Sequence, residues 1–234
     1  SLSFINASGL GSGAPEESTS FTLEAEVIFP KKLDKTHPDY FSTNFVTSSL
    51  FGFHTAIPID PSDYTWPPTD STMQVYAIRE EIESKNVYFQ LDYSSGVSSG
   101  RLTSSLFYDV YDNEKWNFAL RFRPETYGTD FVSCTTSPNH IVELYAVNSD
   151  AGIVANELLM TGTLSFPTRA DFIVQPKRIY AGAHRTNFTG SAIERTDVKL
   201  GSVRYWTSYL SDEAIKTHAR DPENFGTPSP YKST

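Results

Sequence analysis

Alternation of apolar and polar side chains along short segments is the feature that most constrains the fold of this chain. From Phe21 to Val27 every second residue is apolar, and the residues between them are polar. A similar alternation recurs from Asn86 to Tyr93 and from Trp116 to Arg123, whereas helical periodicity is nearly absent. Because successive side chains of a β-strand point to opposite faces, this period of two indicates strands with one buried face.

Further candidate strands are separated by clusters of Gly, Pro, Ser, Asn and Asp, which are typical of turns. They are Leu2–Asn6, Ser49–His54, Met73–Glu80, Thr103–Val110, Ile141–Val147, Leu158–Leu164, Arg178–Ala183 and Val198–Trp206. Many short alternating strands of this kind favour antiparallel sheets packed face to face. The sequence therefore predicts an all-β fold, an antiparallel β-sandwich of the jelly-roll type.

One short C-terminal helix is predicted from Asp212 to about Arg220. Ser211 is a suitable N-cap, because its side-chain oxygen can accept from the free N–H groups of the first turn. The acidic residues of the segment lie in its first turn and the basic ones near its end, which matches the helix dipole. Pro222 follows directly and limits the helix.

No linker divides the middle of the chain, so we expect one sandwich domain over residues 1–226. Residues 227–234 contain two prolines and predict an extended linker or tail. Because the chain starts at Ser1 rather than Met, we expect either a processed product or a piece of a longer protein.

Charge and composition exclude several classes of partner. The 19 basic and 28 acidic residues give a net charge of −9, which disfavours nucleic acid and anionic membranes. No apolar run approaches the roughly 18 residues that a membrane-spanning helix needs. We therefore expect neither a nucleic-acid partner nor membrane insertion. The single Cys134 excludes an intrachain disulfide, so sheet packing must supply the stability.

Several segments in order resemble the laminin-G-like, concanavalin A-like jelly-roll superfamily. The run from Lys199 to Ile215 is similar to the closing strand and helix of that family. Leu2–Asn6, Phe21–Val27, Lys115–Phe122 and Val142–Ala146 are similar to earlier strands of the family. The resemblance implies a concanavalin A-like sandwich but no single function, since this fold hosts lectins, glycosidases, adhesion modules and virion proteins.

Catalytic carboxylates are not predicted. Glycosidases need two carboxylates about 5 to 9 Å apart, and glucan-cleaving relatives of this fold carry a Glu-x-Asp-x-(x)-Glu run. The nearest match is Glu80-Glu81-Ile82-Glu83, which lacks the Asp and is interpreted as a solvated strand end. Glu24 and Glu26 share a strand face, which we interpret as an outward polar stripe.

No metal ligands or cofactors are predicted, although calcium stays possible. The five histidines are scattered without metal-binding spacing and are interpreted as surface or turn residues. The resemblance adds calcium at the sandwich rim as an alternative, to which Asn148 and Asp150 could contribute oxygens. A plain turn is the favoured role of that segment.

Two groups of residues are candidate binding residues. Tyr64 and Trp66 lie in a long Pro-rich loop, where aromatic rings can present flat faces to a sugar or a protein. The alternative is that Trp66 folds back onto the sandwich edge. Tyr88, Gln90 and Asp92 form the polar face of a predicted strand, which lines a groove if that face is concave and is otherwise merely solvated.

The sequence thus favours a non-catalytic interaction or structural module of a larger extracellular or virion assembly. The helix end His218-Ala219-Arg220-Asp221 resembles that of phage structural proteins, which implies a decoration or adhesion domain. Its partners are then other proteins of the same assembly or a surface glycan. A carbohydrate-binding lectin module is the alternative, and a glycoside hydrolase is a weaker one.

Overall fold

A computed structural model describes residues 20–31, 36, 45–55, 72–94, 98–125, 139–165, 177–185, 191–206 and 208–221. Its strands are β1 (Phe21–Ile28), β2 (Thr47–Thr55), β3 (Thr72–Arg79), β4 (Val87–Ser94), β5 (Ser99–Thr103), β6 (Lys115–Pro124), β7 (Asn139–Asp150), β8 (Ile153–Ser165), β9 (Lys177–Ala181), β10 (His184–Arg185), β11 (Ala192–Glu194) and β12 (Lys199–Trp206). One helix, α1 (Asp212–Arg220), follows.

The strands form two five-stranded antiparallel sheets. The first has the order β12-β1-β6-β7-β8 and is called the helix-covered sheet, because α1 packs on it. The second has the order β5-β4-β3-β2-β9 and is called the open sheet. Strands β10 and β11 form a separate pair. The predicted all-β sandwich with one C-terminal helix is confirmed.

The core lies between the two sheets and is rich in aromatic rings. Phe21 of the helix-covered sheet meets Phe53 of the open sheet edge to face, with ring centroids 5.5 Å apart. The centroid of the Phe89 ring lies 5.0 Å from that of Phe118, also edge to face, and 4.9 Å from that of Trp116 at a tilt of 59°. These rings are all essentially buried, and such pairs add to the stability that burial supplies. The inward residues predicted from the alternation are therefore confirmed.

Helix α1 begins and ends as the sequence predicts. The Ser211 hydroxyl accepts from the backbone N–H of Ala214, and Asp212 and Glu213 occupy the first turn. Ile215 and Ala219 are buried against the outer face of the helix-covered sheet, where Ala119 leaves room for them. The helix thus turns an outward sheet face into a second core.

The strand predicted over Thr103–Val110 is not formed beyond Thr103, apart from a single bridge between Val87 and Phe107. The backbone of Asp109 has a positive φ of 55°, which suits a turn rather than a strand. The predicted strand Leu2–Asn6 and the boundary at residues 226 and 227 lie outside the described residues. The division into a domain and a tail therefore stays a prediction.

Candidate functional site

The outward face of the open sheet carries a row of polar side chains. On β4, Tyr88, Gln90 and Asp92 all point away from the core-facing residues, as the alternation predicts. Tyr88 and Asp92 are half-buried, and Gln90 is 9% exposed. The other predicted binding residues, Tyr64 and Trp66, lie outside the described residues.

Strand register extends this row across all five strands. Arg101 of β5 pairs with Asp92, and Asp92 pairs with Gln74 of β3. Gln74 in turn pairs with Gly52 of β2, and Gly52 pairs with Tyr180 of β9. We call the outward surface formed by Gln74, Tyr76, Gln90, Asp92 and Arg101 the polar face.

An ion pair with fixed geometry lies at one end of the polar face. The Arg101 guanidinium donates to both carboxylate oxygens of Asp92, from Nε to Oδ1 at 2.8 Å and from Nη2 to Oδ2 at 2.8 Å. The side-chain amide of Gln90 donates to Asp92 Oδ1 at 3.0 Å. The Arg101 side chain is 67% exposed, so its other N–H groups remain available to a ligand.

Beside this pair lies an open groove of about 470 Å³. Asp92 and Arg101 line it together with uncharged residues, namely Thr72, Gln74, Tyr93, Ser94, Ser99 and Gly100.

The middle of the polar face holds a chain of side-chain hydrogen bonds. The Tyr76 hydroxyl donates to Gln74 Oε1, and Gln74 Nε2 lies 3.4 Å from His54 Nε2. His54 Nε2 lies 2.7 Å from His184 Nε2, so one imidazole donates and the other accepts. The His184 ring stacks on Tyr180 with centroids 4.6 Å apart.

Glycine is required where Tyr180 crosses β2. A Cβ at Gly52 would lie only 2.7 Å from the Tyr180 hydroxyl oxygen. The missing side chain thus lets the Tyr180 ring lie across the sheet beside the histidine pair.

The histidines of the described chain are buried rather than on the surface, so that prediction is wrong for His54, His140, His184 and His218. Burial, with a smaller contribution from the neighbouring His184, lowers the pKa of His54 to about 3. Burial alone lowers the pKa values of His140 and His184 to about 4. These three imidazoles are therefore neutral at pH 7.

Glu24 and Glu26 point away from the core, as predicted, but both side chains are buried rather than exposed to solvent. Glu24 is 1% exposed because α1 covers it. Its carboxylate lies 2.9 Å from His218 Nδ1 through both oxygens, and it accepts from Trp206 Nε1 at 2.6 Å and Asn117 Nδ2 at 3.1 Å. We call Glu24, Asn117, Trp206 and His218 the sealed cluster.

A second group of buried polar side chains, centred on Arg121, binds the start of α1. Arg121 is 1% exposed, pairs with Glu143 Oε2 at 3.1 Å and also pairs with Asp212 of α1. It donates to the backbone oxygen of Leu210 at 3.1 Å, and Tyr209 donates to Glu143 at 2.6 Å. Because these polar groups bond to each other, they stabilise the docking of α1 on the sheet.

The other carboxylates weighed from the sequence have structural surroundings. Glu80, Glu81 and Glu83 are exposed around the turn that joins β3 to β4. Asp150 closes the β7–β8 hairpin, in which Ala151 and Gly152 both have positive φ angles, of 48° and 81°.

Metal ligands are not brought together within the described part of the chain, where no group of three or more His, Cys, Asp or Glu side chains could hold an ion. The Asn148 amide is 2% exposed and bonds to Glu114, Lys115 and Asn156. These bonds favour a structural role over a calcium ligand for Asn148, and calcium remains the untested alternative.

Sequence reasoning found Gln90 and Asp92 but missed Gln74, Tyr76 and Arg101. The alternation over Met73–Glu80 places Gln74 and Tyr76 on the outward face, so this signal was present in the sequence. Arg101 has no such signal, because its position beside Asp92 depends on the register of β4 and β5.

Comparisons with known proteins find likeness in structure alone. No protein-family model matches the sequence, and no curated protein matches it. One similar structure is the CBM40 domain of the Ruminococcus gnavus IT-sialidase, at 12% identity and a TM-score of 0.41, over 94% of this chain and 97% of that one. The same domain bound to α2,3-sialyllactose matches with a TM-score of 0.40.

Two further structures cover much of the chain. The enzymatically active domain of tailspike protein 2 from Bacteriophage CBA120 has 10% identity and a TM-score of 0.48, over 96% of this chain and 26% of that one. The PL-14 alginate lyase from Aplysia kurodai has 10% identity and a TM-score of 0.41, over 88% of this chain and 82% of that one. The functions named are those of the other proteins. In the part of this chain that the model describes, no helix is long and apolar enough to cross a membrane.

Proposed function

We propose that this chain is a non-catalytic interaction module that binds a glycan on the polar face of the open sheet. The observation that carries this proposal is the Asp92–Arg101 pair, held at 2.8 Å through two hydrogen bonds beside an open groove. A carboxylate and a guanidinium together offer both acceptors and donors, which matches sugar hydroxyl groups.

Rigid placement supports the same proposal. The residues of the polar face lie on paired strands, and Gln90 fixes the Asp92 carboxylate from one side. A preformed site loses little conformational entropy on binding. The prediction that Tyr64 and Trp66 contribute aromatic contacts lies outside the described residues and stays a prediction.

The non-catalytic part of the proposal rests on where the carboxylates lie. Glu24 is buried beneath α1, the Glu80–Glu83 group is exposed around a turn, and Asp92 is bound to Arg101. None of these is placed as one of two facing acids across an open groove, as hydrolysis of a glycosidic bond requires.

A glycan array tests the binding proposal. The intact chain should give reproducible binding above background, and an Arg101→Ala, Asp92→Ala double variant should lose it. A matched variant, Glu81→Ala, removes an exposed acid from the β3–β4 turn and should bind as the parent does. Binding that survives in the double variant, or no binding by the parent, contradicts the proposal.

An assay for reducing sugar tests the non-catalytic part separately. We expect no release from the glycans that the array identifies, nor from β-glucans. Release that is lost in Glu81→Gln or Glu83→Gln would support the hydrolase alternative instead.

A structural module of a virion or another extracellular assembly is the second candidate function. Strand β8 ends its sheet among the described residues and carries Ile153 and Leu159, which are 71% and 53% exposed. Exposed apolar residues on a long sheet edge favour contact with other proteins. Light scattering tests this candidate, because a Leu159→Lys variant should reduce any self-association of the parent.

A further inference from the structure

The charges around the polar face carry an inference about the class of glycan, which rests on the proposed function. Asp92 supplies one negative charge and Arg101 one positive charge, and their bidentate contact neutralises them locally. Arg101 therefore brings no net positive charge to the groove.

Glu194 adds negative charge close to the same surface. It lies on β11, where it pairs with His184 of β10. The pKa of the Tyr76 hydroxyl on the polar face is raised, first by burial and then by the negative charges of Asp92 and Glu194, while the positive charge of Arg101 acts against them. Glu194 thus adjoins the polar face through His184, which lies 2.7 Å from His54, and His54 in turn lies 3.4 Å from Gln74.

The neighbouring histidines add no positive charge at pH 7. His54 and His184 bond to each other through their Nε2 atoms at 2.7 Å and are 4% and 3% exposed. Because burial lowers both pKa values, to about 3 and about 4, the pair stays uncharged. Apart from Asp92 and Arg101, the residues that line the groove are neutral, namely Thr72, Gln74, Tyr93, Ser94, Ser99 and Gly100.

Hydrogen-bonding capacity points the same way. Asp92 accepts three hydrogen bonds from Arg101 and Gln90, which leaves capacity for a further donor at its two oxygens. Arg101 uses two of its five N–H groups on Asp92 and keeps the rest. A sugar hydroxyl can donate to Asp92 and accept from Arg101, whereas a ligand carboxylate can only accept and would approach the charge of Asp92.

We infer that the polar face selects neutral, hydroxyl-rich glycans over glycans that carry carboxylates. The chain's net charge of −9 acts in the same direction over longer distances.

A glycan array with neutral and carboxylated members tests this inference, followed by calorimetry on matched pairs. Suitable pairs are lactose with α2,3-sialyllactose, and methyl-esterified with free oligogalacturonate. We expect the neutral member of a bound pair to bind at least tenfold more tightly at low salt. Equal or tighter binding of the carboxylated member overturns the inference and leaves the proposed function intact. Binding of neither class contradicts the proposed function itself.

A charge variant tests the physical cause. Glu194→Gln removes one negative charge without changing the size of the side chain, so it should narrow the preference several-fold by strengthening binding of the carboxylated glycan. Glu81→Gln is the matched control, because Glu81 is an exposed acid in the β3–β4 turn. An unchanged preference in Glu194→Gln overturns the electrostatic basis of the inference, provided that circular dichroism shows the same fold.

Discussion

The two sheets each present polar residues on their outer face, and the two faces differ in what lies above them. On the helix-covered sheet, α1 buries Glu24 and His218 to 1% and 0% exposure, and both oxygens of Glu24 are bonded within the chain. On the open sheet, Arg101 is 67% exposed and a groove adjoins it.

The difference teaches that a polar strand face does not define a function by itself. A buried carboxylate bonded by its neighbours stabilises the docking of the helix, because removing any partner leaves a desolvated group unpaired. An exposed ion pair contributes little to stability and retains hydrogen-bonding capacity for a ligand. Stability and binding should therefore respond to different substitutions.

Replacing Glu24 should give the largest loss of stability and therefore tests the helix-covered sheet most strongly. A Glu24→Ala variant leaves Trp206, Asn117 and His218 without their shared acceptor, so the free energy of unfolding should fall by roughly 3–5 kcal/mol. Urea denaturation measures this change. The exposed acid Glu81 is the control, and Glu81→Ala should stay within about 0.5 kcal/mol of the parent. Equal effects of the two variants would remove the distinction between the faces.

Acid should destabilise the protein through the buried histidines. The folded-state pKa values of His54 and His184, about 3 and about 4, lie below the unfolded value of about 6.5. The unfolded chain therefore takes up protons first as the pH falls from 7. The free energy of unfolding should drop by up to about 2 kcal/mol per histidine at pH 5.

A double variant separates these two histidines from other titrating groups. In His54→Gln, His184→Gln the loss of stability between pH 7 and pH 5 should be smaller than in the parent, whatever the absolute stability. His140 remains in this variant, so part of the decline should persist. A decline as steep as that of the parent contradicts this explanation.

Arg101→Ala tests the open sheet, where we expect an effect on binding rather than on stability. Affinity for a glycan found on the array should fall at least tenfold, because charge-assisted hydrogen bonds to the ligand are lost. The free energy of unfolding should change by less than about 1 kcal/mol, since the side chain is mostly exposed. Calorimetry and urea denaturation of the same preparation measure both. A large loss of stability would mean that Arg101, like Glu24, mainly stabilises the fold.

The smallest expected effect is at the start of α1. Ser211→Ala removes the acceptor of the Ala214 N–H and should lower the free energy of unfolding by about 1 kcal/mol, without changing glycan affinity. Ser211→Asp retains an acceptor and should restore most of the stability. A loss of affinity in Ser211→Ala would mean that the two faces are coupled.

The fold could be predicted from the sequence because one face of each strand is apolar. The alternation located the core around Phe21, Phe89 and Trp116, and the cap at Ser211 located the helix. What the alternation could not supply is the position of the helix relative to the sheets. Glu24 and Asp92 therefore looked alike in the sequence, although α1 buries the first and leaves the second accessible.

The site could be predicted only in part, because the sequence of one strand does not determine which residues of the neighbouring strand lie opposite it. Gln90 and Asp92 were identified from β4, but the contact with Arg101 exists because Asp92 lies directly opposite it. The histidine pair combines β2 with the short strand β10, which has no alternation to reveal it. Pairing between distant segments is thus the information that was missing.

Mapping a bound glycan by NMR tests the central claim most directly. In a titration of the ¹⁵N-labelled chain with a glycan from the array, the largest shifts should fall on backbone amides of β3, β4 and β5, around Gln74, Asp92 and Arg101. The amides around Glu24 and His218 beneath α1 should stay unchanged. Largest shifts beneath α1, with little change around Asp92, would contradict the assignment of binding to the open sheet and of stability to the helix-covered one.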